Sequence, residues 1–262
     1  AEEEGSRGGA AGLISQGALR SPRVRFVLGQ HIEPTLPAGT VGLRPGPTMA
    51  AADQFEIIVR GTGGHAAFPH TGPDAVQVAA EIIAGLPVLI GRTKDPVEPA
   101  VISVGSVHGG DRPNVRPAEV TLSGTVRTLS APLREQFARS LPRRCRHLAL
   151  SLGASARVKY VRGYPALVND PTVTARVAEA LRAAFGEARV RELAAPVLGA
   201  EDFSRYLEQV PGTFWFLGGA PPRGGAGPLH SSRFAPDEES LLWGSEALVR
   251  GVEALQRPER AG

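Results

Sequence analysis

The chain has 262 residues, 42% apolar and 21% charged, enough for two compact domains or for one large domain with an insertion. Its net charge is only +3 despite a pI near 9.5, because Lys94 and Lys159 are the only lysines among 29 basic residues and arginine does not titrate in the accessible range; with no basic stripe interleaved with aromatics, no nucleic-acid partner is expected. No run approaches the roughly 20 apolar residues of a membrane span, the acidic start lacks the basic and apolar regions of a signal peptide, and the lone Cys145 permits neither an internal disulfide nor a zinc cluster. These features lead us to expect a cytoplasmic protein with no membrane partner. Met49 is the only methionine, so the chain is expected to be a processed product or a fragment.

The first block, residues 1–49, opens with AEEEGSRGGA, three adjacent carboxylates before a glycine-rich turn. A solvated, frayed terminus is the ordinary reading of such a start. RVRFVLGQHIEP reads as a β-rich stretch and GTVGL as a short strand, and the turn-rich RPGPTMAA as a crossing between domains. In the second block, residues 50–163, QFEIIVRG alternates as a strand. PDAVQVAAEIIAGL has helical spacing with Pro and Asp in its first turn. AVISVGSVHG and EVTLSGTVRTL read as strands. SAPLREQFARSLPRRCRHLALSLG reads as a helix, with Ser130 as N-cap, Gly153 at its end and Pro142 expected to kink or split it. ARVKYVRG is the last strand, and the order β-α-β-β-α-β is that of the split βαβ, ferredoxin-like sandwich.

The third block, residues 164–262, starts with NDPTVTARVAEALRAAFG, a helix capped by Asp170 with Pro171 at its first position. APVLG is expected to be a short buried strand, AEDFSRYLEQ a helical turn or two, GTFWFLGG a strand, and DEESLLWGSEALVRGVEALQ a closing amphipathic helix. Blocks one and three together read as α/β layers, with the middle block as an inserted domain.

Four of the six histidines fall in dense local settings. His31 ends an apolar strand, where α/β proteins build sites, although this stretch alone favours a strand-end histidine bonded to a backbone carbonyl. His65, in GTGGHAAFPH, is expected on a bare loop with little to pack against, which favours function. His70 is either a second member of that site or a turn residue. His230 lies in a Gly/Pro loop before the last helix, and His108 and His147 read as structural or solvent-facing. Imidazoles at strand ends and loops, with clustered carboxylates elsewhere, suit a metal site. HExxH, CxxC, GxSxG and GxxxxGK[ST] are all missing from the sequence.

Taken together, GGHAAFPHTGPDA, HIEPTLPAGTVG, GGDRPNVRP with GTVRT, GAEDFSRYL and PLHSSRF resemble the aminoacylase and carboxypeptidase family of co-catalytic metallopeptidases. The similarity covers nearly the whole chain and is strongest to the N-acyl-amino-acid amidohydrolases, the group of hippurate and indole-acetyl-amino-acid hydrolases. The resemblance implies an α/β fold: part of a zinc-peptidase-like catalytic domain carrying an inserted ferredoxin-like lid and dimerisation domain. It implies divalent metal ions (zinc, manganese, cobalt or nickel), a homodimer formed through the lid, and an N-acyl or N-aroyl amino acid or small peptide as substrate. It assigns Glu2 as general base and Glu3 as metal ligand, with Glu3 and Glu4 as the alternative register. His31 and His230 would be metal ligands, and His65 the lid histidine that stabilises the oxyanion in the partner subunit's site. Asn114 and Arg127 would hold the substrate carboxylate, and the glycines of GTFWFLGG, Gly218 among them, would let substrate lie against backbone. Arg116 stands where an apolar residue is more usual. The family's remaining ligands are expected upstream of Ala1, so a catalytically incomplete fragment or a non-catalytic dimerising module is the competing reading.

Overall fold

The computed structural model describes residues 8–223 and 225–256. The chain folds as two compact units, one built from Ala50–Ala166 with Leu198–Glu201, the other from Gly9–Met49, Leu167–Val197 and the chain from Asp202 onward. In chain order, α1 (Gly9–Ser15), β1 (Val27–Pro37), β2 (Val41–Leu43) and β3 (Gly46–Met49) open the discontinuous unit. The contiguous unit follows with β4 (Ala51–Arg60), β5 (Gly64–His65), α2 (Ala75–Thr93), β6 (Ala100–His108), β7 (Val115–Arg116), β8 (Glu119–Thr128), α3 (Ala131–Ser151) and β9 (Ser155–Tyr164). The discontinuous unit resumes with β10 (Leu167–Asn169), α4 (Pro171–Phe185), β11 (Val190–Glu192), α5 (Ser204–Leu207), β12 (Gly212–Ala220) and α6 (Glu239–Gln256).

In the contiguous unit the main sheet has the order β6-β8-β4-β9, every neighbouring pair antiparallel. On β4 the side chains of Phe55, Ile57 and Val59 are buried while Gln54, Glu56 and Arg60 are exposed, the period-two pattern of a sheet with one covered face. The cover is two helices. Asp74 caps α2 by accepting hydrogen bonds from the Val76 and Gln77 amides, and Ala75, Val78, Ala79, Ile82, Leu86 and Leu89 form its buried stripe. This helix is long and apolar enough by composition to cross a membrane, but its stripe is part of the core under the sheet. Ser130 caps α3, whose buried residues recur every fourth position: Leu133, Phe137, Leu141, Cys145 and Ala149. Of the kink or split expected at Pro142, the split does not occur; α3 runs unbroken because the stripe continues into the core on both sides of the turn that lost its backbone bond.

One polar cluster penetrates this unit. Asp53 on β4 is 1% exposed and grips Arg134 of α3 with both carboxylate oxygens, at 2.6 Å (Nη2 to Oδ1) and 2.9 Å (Nε to Oδ2). The Tyr160 hydroxyl donates to Oδ2 at 2.9 Å and the Gly163 amide to Oδ1 at 3.0 Å. Each carboxylate oxygen is thus satisfied, as burial of a charge requires. Burial, then the charge of Asp53, pushes the Tyr160 hydroxyl's pKa far up.

Cys145 is buried in the same core, and burial raises its thiol from an ordinary 9.0 to about 11, against a smaller opposing effect of Arg144. A folded-state value above the unfolded one means that the contribution is fully present below about pH 9 and is lost as pH rises towards 11. Tyr160 acts with the same sign. We therefore expect the melting temperature of the contiguous unit to fall between pH 9 and pH 11, and Cys145 to resist disulfide reagents at pH 8 until denaturant is added. Rapid stoichiometric labelling of the native chain would contradict the buried position.

In the discontinuous unit the sheet order is β1-β12-β2-β11, with β1 parallel to β12, β12 antiparallel to β2 and β2 parallel to β11. Trp215 and Leu217 of β12 pack with Val173, Val177 and Leu181 of α4 and Ala247 and Leu255 of α6, whereas Phe214 and Phe216 pack with Met49 and Leu167 on the other side. Cover on both faces explains why GTFWFLGG is almost continuously buried. Asn169, fully buried, behaves as a strand residue with its side chain: its amide donates to the Phe214 and Arg44 carbonyls and accepts from the Phe214 amide. The boundary between the two units falls within RPGPTMAA, between Met49 and Ala50, and β3 within it pairs with β10. One expectation fails here. APVLG is not a buried strand: it makes a single bridge from Val197 to Met49, and Val197 and Leu198 are more than a third exposed. The added strand is β11 instead, paired with β2.

Candidate metal and catalytic residues

Of the expected metal and base positions, Glu2, Glu3 and the alternative Glu4 lie outside the described residues. His31 and His230 both belong to the discontinuous unit. His31 sits on β1 in register with Phe216 of β12. Its Nδ1 lies 2.7 Å from the Ile32 carbonyl oxygen. A carbonyl only accepts, so Nδ1 carries the proton, and in the neutral ring Nε2 keeps its lone pair. That is the ring state a metal ligand needs, the backbone carbonyl fixing both tautomer and orientation. His230 is exposed and is the one non-glycine with positive φ (57°) among the described residues. Holding a side-chain residue there costs of order 1–3 kcal/mol, so the surrounding loop constrains it. Among the described residues no three His, Cys, Asp or Glu side chains form a metal-holding group.

Gly218 has a packing explanation. A Cβ there would collide with the Pro37 carbonyl oxygen. Its amide donates to the Thr40 carbonyl and its own carbonyl accepts from the Ser240 hydroxyl. The backbone expected to be open to substrate is therefore occupied by the protein itself.

In the contiguous unit the loop of His65 is not bare. Gly64–His65 forms β5, paired antiparallel with Val115–Arg116 of β7. One residue further, the Ala66 amide donates to the Asn114 carbonyl at 2.9 Å, so the structure brings two of the expected residues, His65 and Asn114, side by side. His65 Nδ1 accepts from the Ala67 amide at 3.1 Å. An amide only donates, so here Nδ1 holds the lone pair and the neutral ring carries its proton on Nε2, the reverse of His31. The imidazole is exposed and touches the Phe68 ring at 5.4 Å between centroids. Arg127 lies on β8 between Ala52 of β4 and Val101 of β6, and burial lowers its pKa from the ordinary value. Arg116, read from sequence as a mild departure, is 6% exposed and turns its guanidinium into the loop after His65. Neither its role nor that of Asp53 carries a local signal.

The Peptidase family M20/M25/M40 model matches residues 1–257. The chain belongs to this family. It is 37% identical over 249 residues to thermostable carboxypeptidase 1 of Saccharolobus solfataricus, covering 94% of this chain and 62% of that one. It is 35% identical over 256 residues to N-acetyl-L-cysteine deacetylase of Bacillus subtilis, covering 97% and 59%. The crystal structure of a dinuclear metal-binding M20 peptidase from Bacillus subtilis superposes with a TM-score of 0.76 at 29% identity, over 95% of this chain and 62% of that one. The chain thus spans about three-fifths of the length of these M20 proteins.

Proposed function

We propose that the chain serves a metal-dependent amidohydrolase that cleaves the amide of an N-acyl or N-aroyl amino acid, or of a small peptide, and that it works as a homodimer. The observation that carries this reading is the opposite proton placement on two histidines: His31 keeps an Nε2 lone pair, and His65 offers an Nε2–H. The first suits a cation and the second a developing anion. His31 and His230, with Glu3, would hold the ion. A divalent ion bound there would supply an acidified water as nucleophile. Glu2 takes the proton of the attacking water, and His65, supplied by a second copy of the chain through the inserted unit, donates from Nε2 to the oxyanion. The strand order β6-β8-β4-β9 supports reading that unit as a ferredoxin-like lid. Arg127 and Asn114 hold the free carboxylate, a planar guanidinium fork matching a planar carboxylate. The carboxypeptidase and deacetylase names of the relatives share this substrate element, an amide beside a carboxylate.

The test is metal content by plasma mass spectrometry and hydrolysis of N-acetyl and N-benzoyl amino acids, on this chain and on the full-length product of its gene. We expect the full-length product to turn over and to lose activity on chelation. His31→Ala should weaken metal binding by about tenfold or more. A chelator-insensitive activity, or metal binding unchanged in His31→Ala, would refute the proposal.

A further inference from the structure

The Arg116 side chain donates four hydrogen bonds to one short segment. Nη1 donates to the Gly72 carbonyl at 2.8 Å and to the Pro69 carbonyl at 3.4 Å. Nη2 donates to the Phe68 carbonyl at 3.1 Å and to the Thr71 hydroxyl at 2.8 Å. All four acceptors lie within Phe68–Gly72, the segment holding the 3-10 turn Pro69–Thr71. The Phe68 carbonyl also accepts from the Thr71 amide and hydroxyl within the turn, and a planar guanidinium with donors fanned in one plane can reach several acceptors of such a segment at once.

The same segment reaches back to His65. Phe68, whose carbonyl Arg116 holds, donates its amide to the His65 carbonyl at 3.0 Å and rests its ring on the imidazole. Arg116 also pairs backbone to backbone with Gly64. The imidazole is therefore flanked on both sides by groups that Arg116 fixes. Among the described residues the acceptors of the Arg116 side chain are all neutral, so burying the guanidinium is costly, and that cost is offset while the segment keeps this shape. We infer that Arg116 is a positioning residue for His65, holding the imidazole in the single tautomer and orientation that presents Nε2–H outward. This rests on the role proposed for His65, but its test does not.

The test uses the 262-residue chain with ¹⁵N-labelled histidine. In the wild type, His65 should show one pyrrole-like nitrogen (Nε2) and one pyridine-like nitrogen (Nδ1). Arg116→Met should collapse this difference towards tautomer averaging and speed amide exchange at Ala67 by about tenfold to a hundredfold, while His108, on the same unit, keeps its spectrum. Arg116→Lys should restore little, because an ammonium cannot span the acceptors. Thr71→Val, which removes one acceptor and leaves Arg116 in place, should give a smaller effect of the same sign and serves if Arg116→Met does not fold. Unchanged His65 nitrogens in a folded Arg116→Met chain, or in Thr71→Val, would overturn the inference. In the full-length gene product, Arg116→Met should lower kcat with little change in KM. If the His65 spectrum changes and kcat does not, the positioning role stands and the catalytic assignment of His65 falls.

Discussion

Asp53→Asn is expected to destabilise the contiguous unit by about 3–5 kcal/mol, the usual result of removing one partner from a buried ion pair. Asp53 is 1% exposed, and Arg134, gripped by it in a bidentate pair, has a side chain only 12% exposed. An amide cannot accept at both positions, so the substitution would leave the guanidinium charged, buried and partly unpaired, with Tyr160 or the Gly163 amide losing an acceptor as well. The change is read from urea unfolding followed by circular dichroism and by exchange of the β4 amides. Tryptophan emission is the control, because Trp215 and Trp243 both belong to the other unit. Combining Asp53→Asn with Arg134→Met should recover part of the loss, since the stranded charge is then gone. A double variant as unstable as the sum of the two single ones would place the energy elsewhere.

The helices and strands of the middle block are legible because their signals are local: alternation on β4, an acceptor side chain before α2 and another before α3. What is not legible is pairing at a distance. Asp53 looks like a polar residue near the start of a strand, and nothing nearby announces Arg134, 81 positions later. Arg116 finds its acceptors 44 to 48 residues upstream. Pro142 misleads in the opposite direction, because its local penalty is real and the packing on either side outweighs it. For APVLG, composition suggests a buried strand, but the sheet takes its edge from Val190–Glu192. At the site, residue type and order point to His31 and His65 as candidates. Which ring nitrogen of each keeps its proton depends on a carbonyl one residue away and an amide two residues away, geometry that no spacing encodes.

His65→Ala in the full-length gene product should cut turnover by about a hundredfold to a thousandfold, the value of one donor aimed at a developing oxyanion. Metal content and molecular mass should stay unchanged, because His65 is exposed and sits on a different unit from His31 and His230. Mixing this variant with Glu2→Gln should restore part of the activity, since a mixed dimer has one site with an intact Glu2 and an intact His65 from the other copy. If mixed dimers form and remain inactive, His65 does not act across the subunit boundary. If His65→Ala retains full turnover, the oxyanion donor is another group. His65→Gln, which keeps a donor but not the imidazole, should fall between the two.

The pairing of β1 with β12 also sets a timetable. Residues 27–37 find their partners in residues 212–220, about 185 residues later in the chain. At roughly 5–20 residues per second on the ribosome, β1 emerges about 10 to 35 seconds before the strand it needs. Nearly all of the other unit, Ala50–Ala166, is made within that interval, with its helices and antiparallel neighbours close in sequence. The nascent polypeptide therefore carries one structured body while an apolar strand waits unpaired behind it, and that strand is where a holdase or a mis-pairing neighbour would first engage it.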